Sequence, residues 1–502
     1  MLELVSFICG GAVMVLEMAG ARVIAPYLGT SIVVWTAIIG VILASLSLGY
    51  WLGGQAGDKN PSARKLGGII LLGAGFVLLA ALVHDPLLRI VAGSGMPLQI
   101  SAVLAALLLF AMPAVFLGMV SPYIIQVKLV LVGNSGKTGA IMGRFFALST
   151  IGSIIGTFLG GYWLISWLGT RTILYGVAAT LAIAACLALP RPRKAGAVIV
   201  AVACAGLGVY AGFTSSHDLS RGIHFDTRYN HIRIQNGSFE RDGRPMRFLV
   251  TDPGSVQSGM YIDSPMELAL DYTKHYAIGW HLLPEANSFL MLGGGGYSVP
   301  KYLLTSRPNA VIDVVEIDPG ITKAARDYFA LPENSRLRVH HEDARNFLNR
   351  NADLKTPPRY DIIMGDTFSS SYNIPFHLGT VECAERIKVL LADNGVFVCN
   401  IISAITGEES QVFQGFYHAF AKVFPQTHVI PVNYANRPDI TQNIMLVALK
   451  APRAIPLAWD DDMRAILAKE YKQPIPNDIP ALTDNYAPVE RYAMPLLRKR
   501  AM

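Results

Sequence analysis

Apolar residues run almost unbroken through the first 213 positions, with polar interruptions too short to hold a soluble domain. A membrane-crossing helix needs about 20 mostly apolar residues. Seven stretches qualify, near 4–27, 32–54, 66–84, 98–120, 143–166, 171–189 and 196–213. Pro113, Pro122, Gln126 and Lys128 break the run between 111 and 132, which predicts a kinked helix continuing as an interfacial piece. Beyond 213 the pattern changes. Two short alternating runs, HIRIQN and MRFLVTD, flank GSFERDGRP, and its Asp-Gly pair predicts a β-hairpin within 228–262. From Ser288 onward apolar strands alternate with amphipathic helices: SFLMLGG, AVIDVVEID, LRVHHED, YDIIMGD and GVFVCNII each precede a helical stretch. That alternation predicts a doubly wound parallel sheet. THVIPVN and NIMLVALK then predict an antiparallel pair at one edge. The expected divisions are 1–213, 214–285, 286–450 and a C-terminal extension, 451–502.

Composition agrees with this split. Hydrophobic residues make up 52% of the 502 and charged ones only 16%, where soluble proteins carry about 25% charge. Residues 1–213 hold 12 of the 42 Lys and Arg and 4 of the 36 Asp and Glu, a net +8 against −2 for the remainder. The basic excess therefore sits in short loops of the apolar half, where lipid headgroups are the expected partner and nucleic acid is not.

Five cysteines, Cys9, Cys186, Cys204, Cys383 and Cys399, show neither CxxC nor Cys/His spacing, so no disulfide framework and no metal site are expected. The N-terminus lacks the basic region and cleavage site of a signal peptide and reads as a retained first span. Small residues recur every fourth position at Gly49, Gly53 and Gly57 and at Gly152, Gly156 and Gly160, a spacing that lets helix backbones approach. Glu17 and Arg22 are ionisable groups inside a span, read as a buried pair or a polar substrate site. Loop charges set sidedness. Nine Lys and Arg (residues 59, 64, 65, 128, 137, 144, 191, 193 and 194) lie on one side of a seven-span bundle and three, Arg22, Arg89 and Arg171, on the other. The positive-inside rule puts the rich side in the cytoplasm, and seven spans would then leave the C-terminal half outside. The C-terminal domain is nonetheless expected in the cytoplasm, which holds if 111–132 or the last run is not a simple span.

In doubly wound sheets ligands bind beyond the carboxyl ends of the strands, and those ends carry the chemistry here. LGGGGY follows the first strand, so Gly293, Gly294 and Gly295 let a nucleotide approach the backbone. Glu316 ends the second strand, placed to accept bonds from vicinal ribose hydroxyls, and Asp343 follows the third, placed to accept one from an adenine amino group. Together they form an adenosine-site pattern. Asp366, ending the fourth strand, faces the reactive end of such a nucleotide as a general base or amine-orienting group.

TDPGSVQSG, LGGGGY, VVEIDP, HHEDARNFL and YDIIMGDTFS resemble the spermidine synthase family of polyamine aminopropyltransferases, and the first span with GRFFALSTIGSIIGTFLGG resembles its membrane-fused branch. The resemblance implies a multi-pass helical bundle of the cell inner membrane fused to a Rossmann-like, methyltransferase-type α/β domain with a small N-terminal β-subdomain. It implies nucleoside binding by Asn230, Gln257, Glu316 and Asp343, catalysis by Asp366, and an active-site role for Tyr272. The co-substrate would be decarboxylated S-adenosylmethionine or S-adenosylmethionine, without metal, and the partner a small amine acceptor; a homo-oligomer is compatible with the sequence. Two family carboxylates are missing: where the family has GGGDG this chain has Gly293–Tyr297, so Gly296 stands where the aminopropyl ammonium is usually held, and Ser369 stands where the acceptor is usually contacted. S-adenosylmethionine-dependent methyl transfer or cleavage, and a transporter or sensor regulated by a nucleoside-binding domain, are the alternatives.

Overall fold

A computed structural model of the chain describes residues 1–29, 31–133, 138–165, 168, 170–190, 194–213, 222–227, 229–238, 243–251, 255–367 and 375–500. It divides into two compact units, one comprising the helices up to Phe213 with His224–His231, the other running from Ile232 to Arg500.

In the first unit, six helices are long and apolar enough to cross a membrane: α1 (Leu2–Leu28), α2 (Ile32–Asp58), α3 (Ala63–Ala92), α4 (Leu98–Val132), α5 (Thr138–Leu164) and α6 (Thr170–Ala188). The seventh expected span falls on α7 (Lys194–Phe213), whose described apolar stretch, Lys194–Gly208, is shorter than the other six. The continuation expected after 120 belongs to the same helix and not to a separate interfacial piece. α4 continues through 35 residues, and a π-helical turn at Leu107–Ala111 precedes Pro113. A π turn absorbs the amide that proline lacks, so the helix adjusts instead of ending.

Glycine rows set the closest packing. A Cβ on Gly152 would lie 2.1 Å from the Phe7 carbonyl oxygen, and one on Gly156 would lie 2.4 Å from that of Gly11, so α5 meets α1 backbone to backbone. Gly49 and Gly53 bring α2 equally close to Val115 and Met119 of α4.

Two ends of this bundle are distinguishable. At one, Lys128 pairs with Glu3 at 3.7 Å, Gln126 donates to Asp58 at 3.0 Å, and Lys65 donates to the carbonyls of Lys59 and Asn60. At the other, Tyr27 and Arg89 both donate to Asp85, and Arg171 donates to His84 at 3.3 Å. α6 and α7 run antiparallel between the ends: Cys186 lies beside the Lys194 carbonyl, and Gly208 lies beside Tyr175 and Thr172. In β1 (Ile223–Asp226), the Asp226 carboxylate accepts from the Thr170 amide at 2.9 Å and its hydroxyl at 3.2 Å, which caps α6.

In the second unit, β2 (His231–Ser238) and β3 (Pro245–Thr251) form the expected antiparallel hairpin, and β4 (Ser255–Tyr261) extends it to a meander, with Arg233 opposite Val250 and Leu249 opposite Ser258. Asp242 of the anticipated turn lies outside the described residues. The main sheet contains β5 (Ser288–Leu292), β6 (Val311–Val315), β7 (Leu337–His340), β8 (Tyr360–Gly365), β9 (Leu391–Ser403), β10 (Gln426–Pro431) and β11 (Gln442–Leu449) in the order β10-β11-β9-β8-β5-β6-β7. β5 to β9 are parallel, and β11 and β10 add antiparallel at one edge, as expected. Alternation within β5 sends Leu290 and Leu292 to one core and Phe289 and Met291 to the other, so both faces are covered. Capping carboxylates and a hydroxyl start the helices: Asp318 bonds the Gly320 amide, Asp343 that of Asn346 and Thr380 that of Cys383.

The glycine contacts yield a stability test. Gly152→Ala forces α1 and α5 apart and costs about 1–3 kcal/mol of overpacking, whereas Gly68→Ala, with open space around its Cβ, costs nothing. Thermal unfolding of the detergent-solubilised protein should lower the midpoint for the first variant alone.

Candidate active site

Strand order reverses between β5 and β8, because β6 and β7 extend to one side of β5 while β8 and β9 extend to the other. The chain segments leaving those two strands part there and open a crevice. They begin in close contact: the Asp366 amide donates to the Leu292 carbonyl at 2.8 Å, and a Cβ on Gly293 would lie 2.2 Å from the Asp366 carbonyl oxygen. With φ at +90° as well, position 293 admits only glycine.

The glycine loop is tied down from β6. Glu316 accepts from the amides of Gly294 at 2.9 Å, Gly295 at 3.4 Å and Asp318 at 2.9 Å. Burial pushes its carboxyl group above the usual range, and the three amides oppose that push. The sequence reading assigned this carboxylate to the ribose; the structure adds that it already organises the loop. From β4, Ser258 accepts the Gly296 amide at 2.7 Å. Tyr297, which follows the glycines, takes a left-handed φ of 55° and turns inward, fully buried, with its hydroxyl 2.7 Å from Thr322.

Asp343 caps the helix Ala344–Ala352 with one oxygen and accepts from His377 Nε2 at 3.2 Å with the other. That histidine and the capping amide hold its carboxyl group below the ordinary range.

Asp366 is engaged on both carboxylate oxygens. Tyr272, on the short helix Asp271–His275, donates to Oδ2 at 3.1 Å, and Asn400 of β9 donates to Oδ1 at 3.2 Å. The Tyr272 hydroxyl also lies 3.3 Å from the Gln257 carbonyl oxygen. Enclosure by protein pushes the Asp366 carboxyl group up to about 6, and the two donors restrain that rise. The structure thus gathers Asp366, Tyr272 and Gln257 in one group and Glu316, Gly294 and Gly295 in another, joined through Gly293, while Asp343 engages a separate partner, His377. Asn230 belongs to the first unit, where its amide donates to Thr227 Oγ1 at 2.9 Å. Ser369 lies outside the described residues. Among the described residues no three His, Cys, Asp or Glu side chains gather as metal ligands would.

Asn400 was not anticipated, nor was Asn443, which donates to the Asn400 carbonyl oxygen at 3.0 Å. A signal existed: Asn400 is a lone polar side chain in the apolar strand GVFVCNII, and its neighbour Cys399 pairs with Gly365, the residue before Asp366.

Residues 275–454 match the spermine/spermidine synthase domain. The polyamine aminopropyltransferase of Vibrio vulnificus is 33% identical over 183 residues, covering 36% of this chain and 60% of that protein. An eEF1A lysine and N-terminal methyltransferase of Bos taurus is 29% identical over 148 residues, 28% of this chain and 21% of that one. The chain thus spans less than two thirds of the length of these relatives. A crystal structure of a probable spermidine synthase from Corynebacterium glutamicum aligns with a TM-score of 0.41 at 21% identity, over 49% of this chain and 85% of that one. The C-terminal half of the chain therefore carries a spermine/spermidine synthase domain, spanning residues 275–454.

Proposed function

We propose that this chain is a membrane-bound aminopropyltransferase that moves the aminopropyl group of decarboxylated S-adenosylmethionine to a small amine and releases methylthioadenosine. The observation that carries the reading is Asp366, held by Tyr272 and Asn400 where the strand order reverses, inside a spermine/spermidine synthase domain. In the reaction the amine nitrogen attacks the carbon next to the sulfonium. A C–N bond forms, the C–S bond breaks, and its electron pair neutralises the sulfur. The new ammonium gives its proton to the Asp366 carboxylate. The sulfonium is already a good leaving group, so the protein's contribution is alignment of nitrogen, carbon and sulfur. Glu316, Asp343, Gln257 and the Gly293–Gly295 loop are the proposed nucleoside contacts.

A second reading, methyl transfer from S-adenosylmethionine, has support from the methyltransferase relatives and from Gly296. Glycine stands where the resemblance puts a carboxylate, so no charge is offered there to the ammonium of a decarboxylated tail.

Sidedness belongs to the same reading. The basic loops mark the cytoplasmic end of the bundle. α7 runs back along the length of α6, and β1 then reaches Thr170 at the end where Arg89 and Arg171 sit. Twenty helical residues rise about 30 Å, enough to cross the hydrocarbon core. This favours an exit of the chain on the extracytoplasmic face, against the cytoplasmic lean of the sequence reading. Catalysis there requires the charged nucleoside to be delivered across the membrane, since it does not cross lipid unaided.

Three outcomes follow. Asp366→Asn should lower turnover by about 10²–10⁴-fold with nucleoside affinity kept within a few-fold, measured by steady-state kinetics and calorimetry; undiminished turnover would remove Asp366 from the mechanism. Glu316→Ala should weaken nucleoside binding by about 1.5–3 kcal/mol, and unchanged calorimetric affinity would mean that the ribose is held elsewhere. In intact cells an impermeant maleimide should modify Ser238→Cys, an exposed position, and should reach Arg64→Cys only after permeabilisation. The reverse pattern would place the domain in the cytoplasm.

A further inference from the structure

Asp366 is engaged on both oxygens, and the two engagements differ in kind. The donor on Oδ2 is the hydroxyl of Tyr272, which rotates and also reaches the Gln257 carbonyl. The donor on Oδ1 is the amide of Asn400, whose side chain is buried at 2% exposure and whose own oxygen is fixed by Asn443. Asn400 and Asn443 lie on adjacent antiparallel strands, β9 and β11, in the seven-stranded sheet. An amide held at its oxygen keeps its NH₂ in place, so Asn400 offers Asp366 a donor that neither flips nor swings away.

We propose that Asn400, itself held by Asn443, is a positioning residue that pins Oδ1 of Asp366 and leaves Oδ2, shared with Tyr272, to meet the proton of the incoming amine. The proposal rests on the reading of Asp366 as the proton acceptor. Its consequence is electrostatic as well as geometric. Among the described residues, the titratable groups around Asp366 are Tyr272 and Tyr276 on the helical segment that follows β4 and Cys399 on β9; burial raises all three above their ordinary values, so they are neutral at working pH. No cation is among these, and hydrogen bonds from Asn400 and Tyr272 stabilise the ionised form of Asp366. Asp366 is ionised above about 6 and loses its charge as pH falls through that value. Removing the Asn400 donor moves that loss to higher pH.

Two readouts test this on the full-length protein. The first is calorimetric binding of S-adenosylmethionine as a function of pH, because an ionised Asp366 attracts the sulfonium whatever product is later formed. The second is the pH profile of turnover, with kcat and KM resolved. Asn400→Leu should shift the acid-side midpoint of both upward by about one pH unit and lower kcat at least ten-fold while the nucleoside KM changes less than three-fold. Asn443→Ala, which leaves Asn400 in place but free to rotate, should shift both in the same direction by less. A folded Asn400→Leu protein with unmoved midpoints and normal kcat overturns the proposal, as does a loss of kcat without any shift in midpoint. Should Asn400→Leu fail to fold, Asn443→Ala decides on the same criteria. Should the wild type release no methylthioadenosine, the aminopropyl reading fails, and the binding midpoint still reports on Asn400.

Discussion

A carboxylate enclosed by protein must be paid for in hydrogen bonds, and in this domain the rest of the site follows from that need at Asp366. Enclosure alone would neutralise it. A tyrosine from the segment after β4 and an asparagine from β9 supply the donors, while the backbone of Asp366 itself is pinned against Leu292 and Gly293. The crevice is therefore fixed by three separate stretches of chain: the helical segment carrying Tyr272, strand β9 with Asn400, and the end of β5 with its glycine loop. It lies where the strand order reverses.

The same logic governs the glycine loop. Buried Glu316 takes three backbone amides, two of them from the loop, and so holds Gly294 and Gly295 in the conformation that a nucleotide would meet. A loop without side chains has little packing to define it, and a charged acceptor behind it supplies that definition.

Much of this was legible in the sequence because strand ends in a parallel sheet have a fixed meaning. LGGGGY, Glu316, Asp343 and Asp366 could be placed at the ends of successive strands from alternation alone, and the antiparallel edge was legible from two late apolar runs. What was not legible depends on register. Asn400 and Asn443 meet only because β9 and β11 pair in one particular alignment, and no local pattern encodes that. The inward turn of Tyr297 depends on a left-handed backbone and on Thr322, 25 residues away. In the bundle, the prolines pointed to a kinked helix continuing as an interfacial piece; the structure has one helix of 35 residues, with a π turn at Leu107–Ala111 before Pro113. The glycine rows, by contrast, could be read as packing sites directly, since close backbone approach is what their spacing permits.

The central claim is the chemistry at Asp366, and product identity tests it most directly. Purified full-length protein in lipid nanodiscs, incubated with decarboxylated S-adenosylmethionine or S-adenosylmethionine and a panel of amines, would be read by mass spectrometry. The account predicts methylthioadenosine together with an amine enlarged by one aminopropyl group. S-adenosylhomocysteine with a methylated product, or no consumption of either nucleoside, would contradict it.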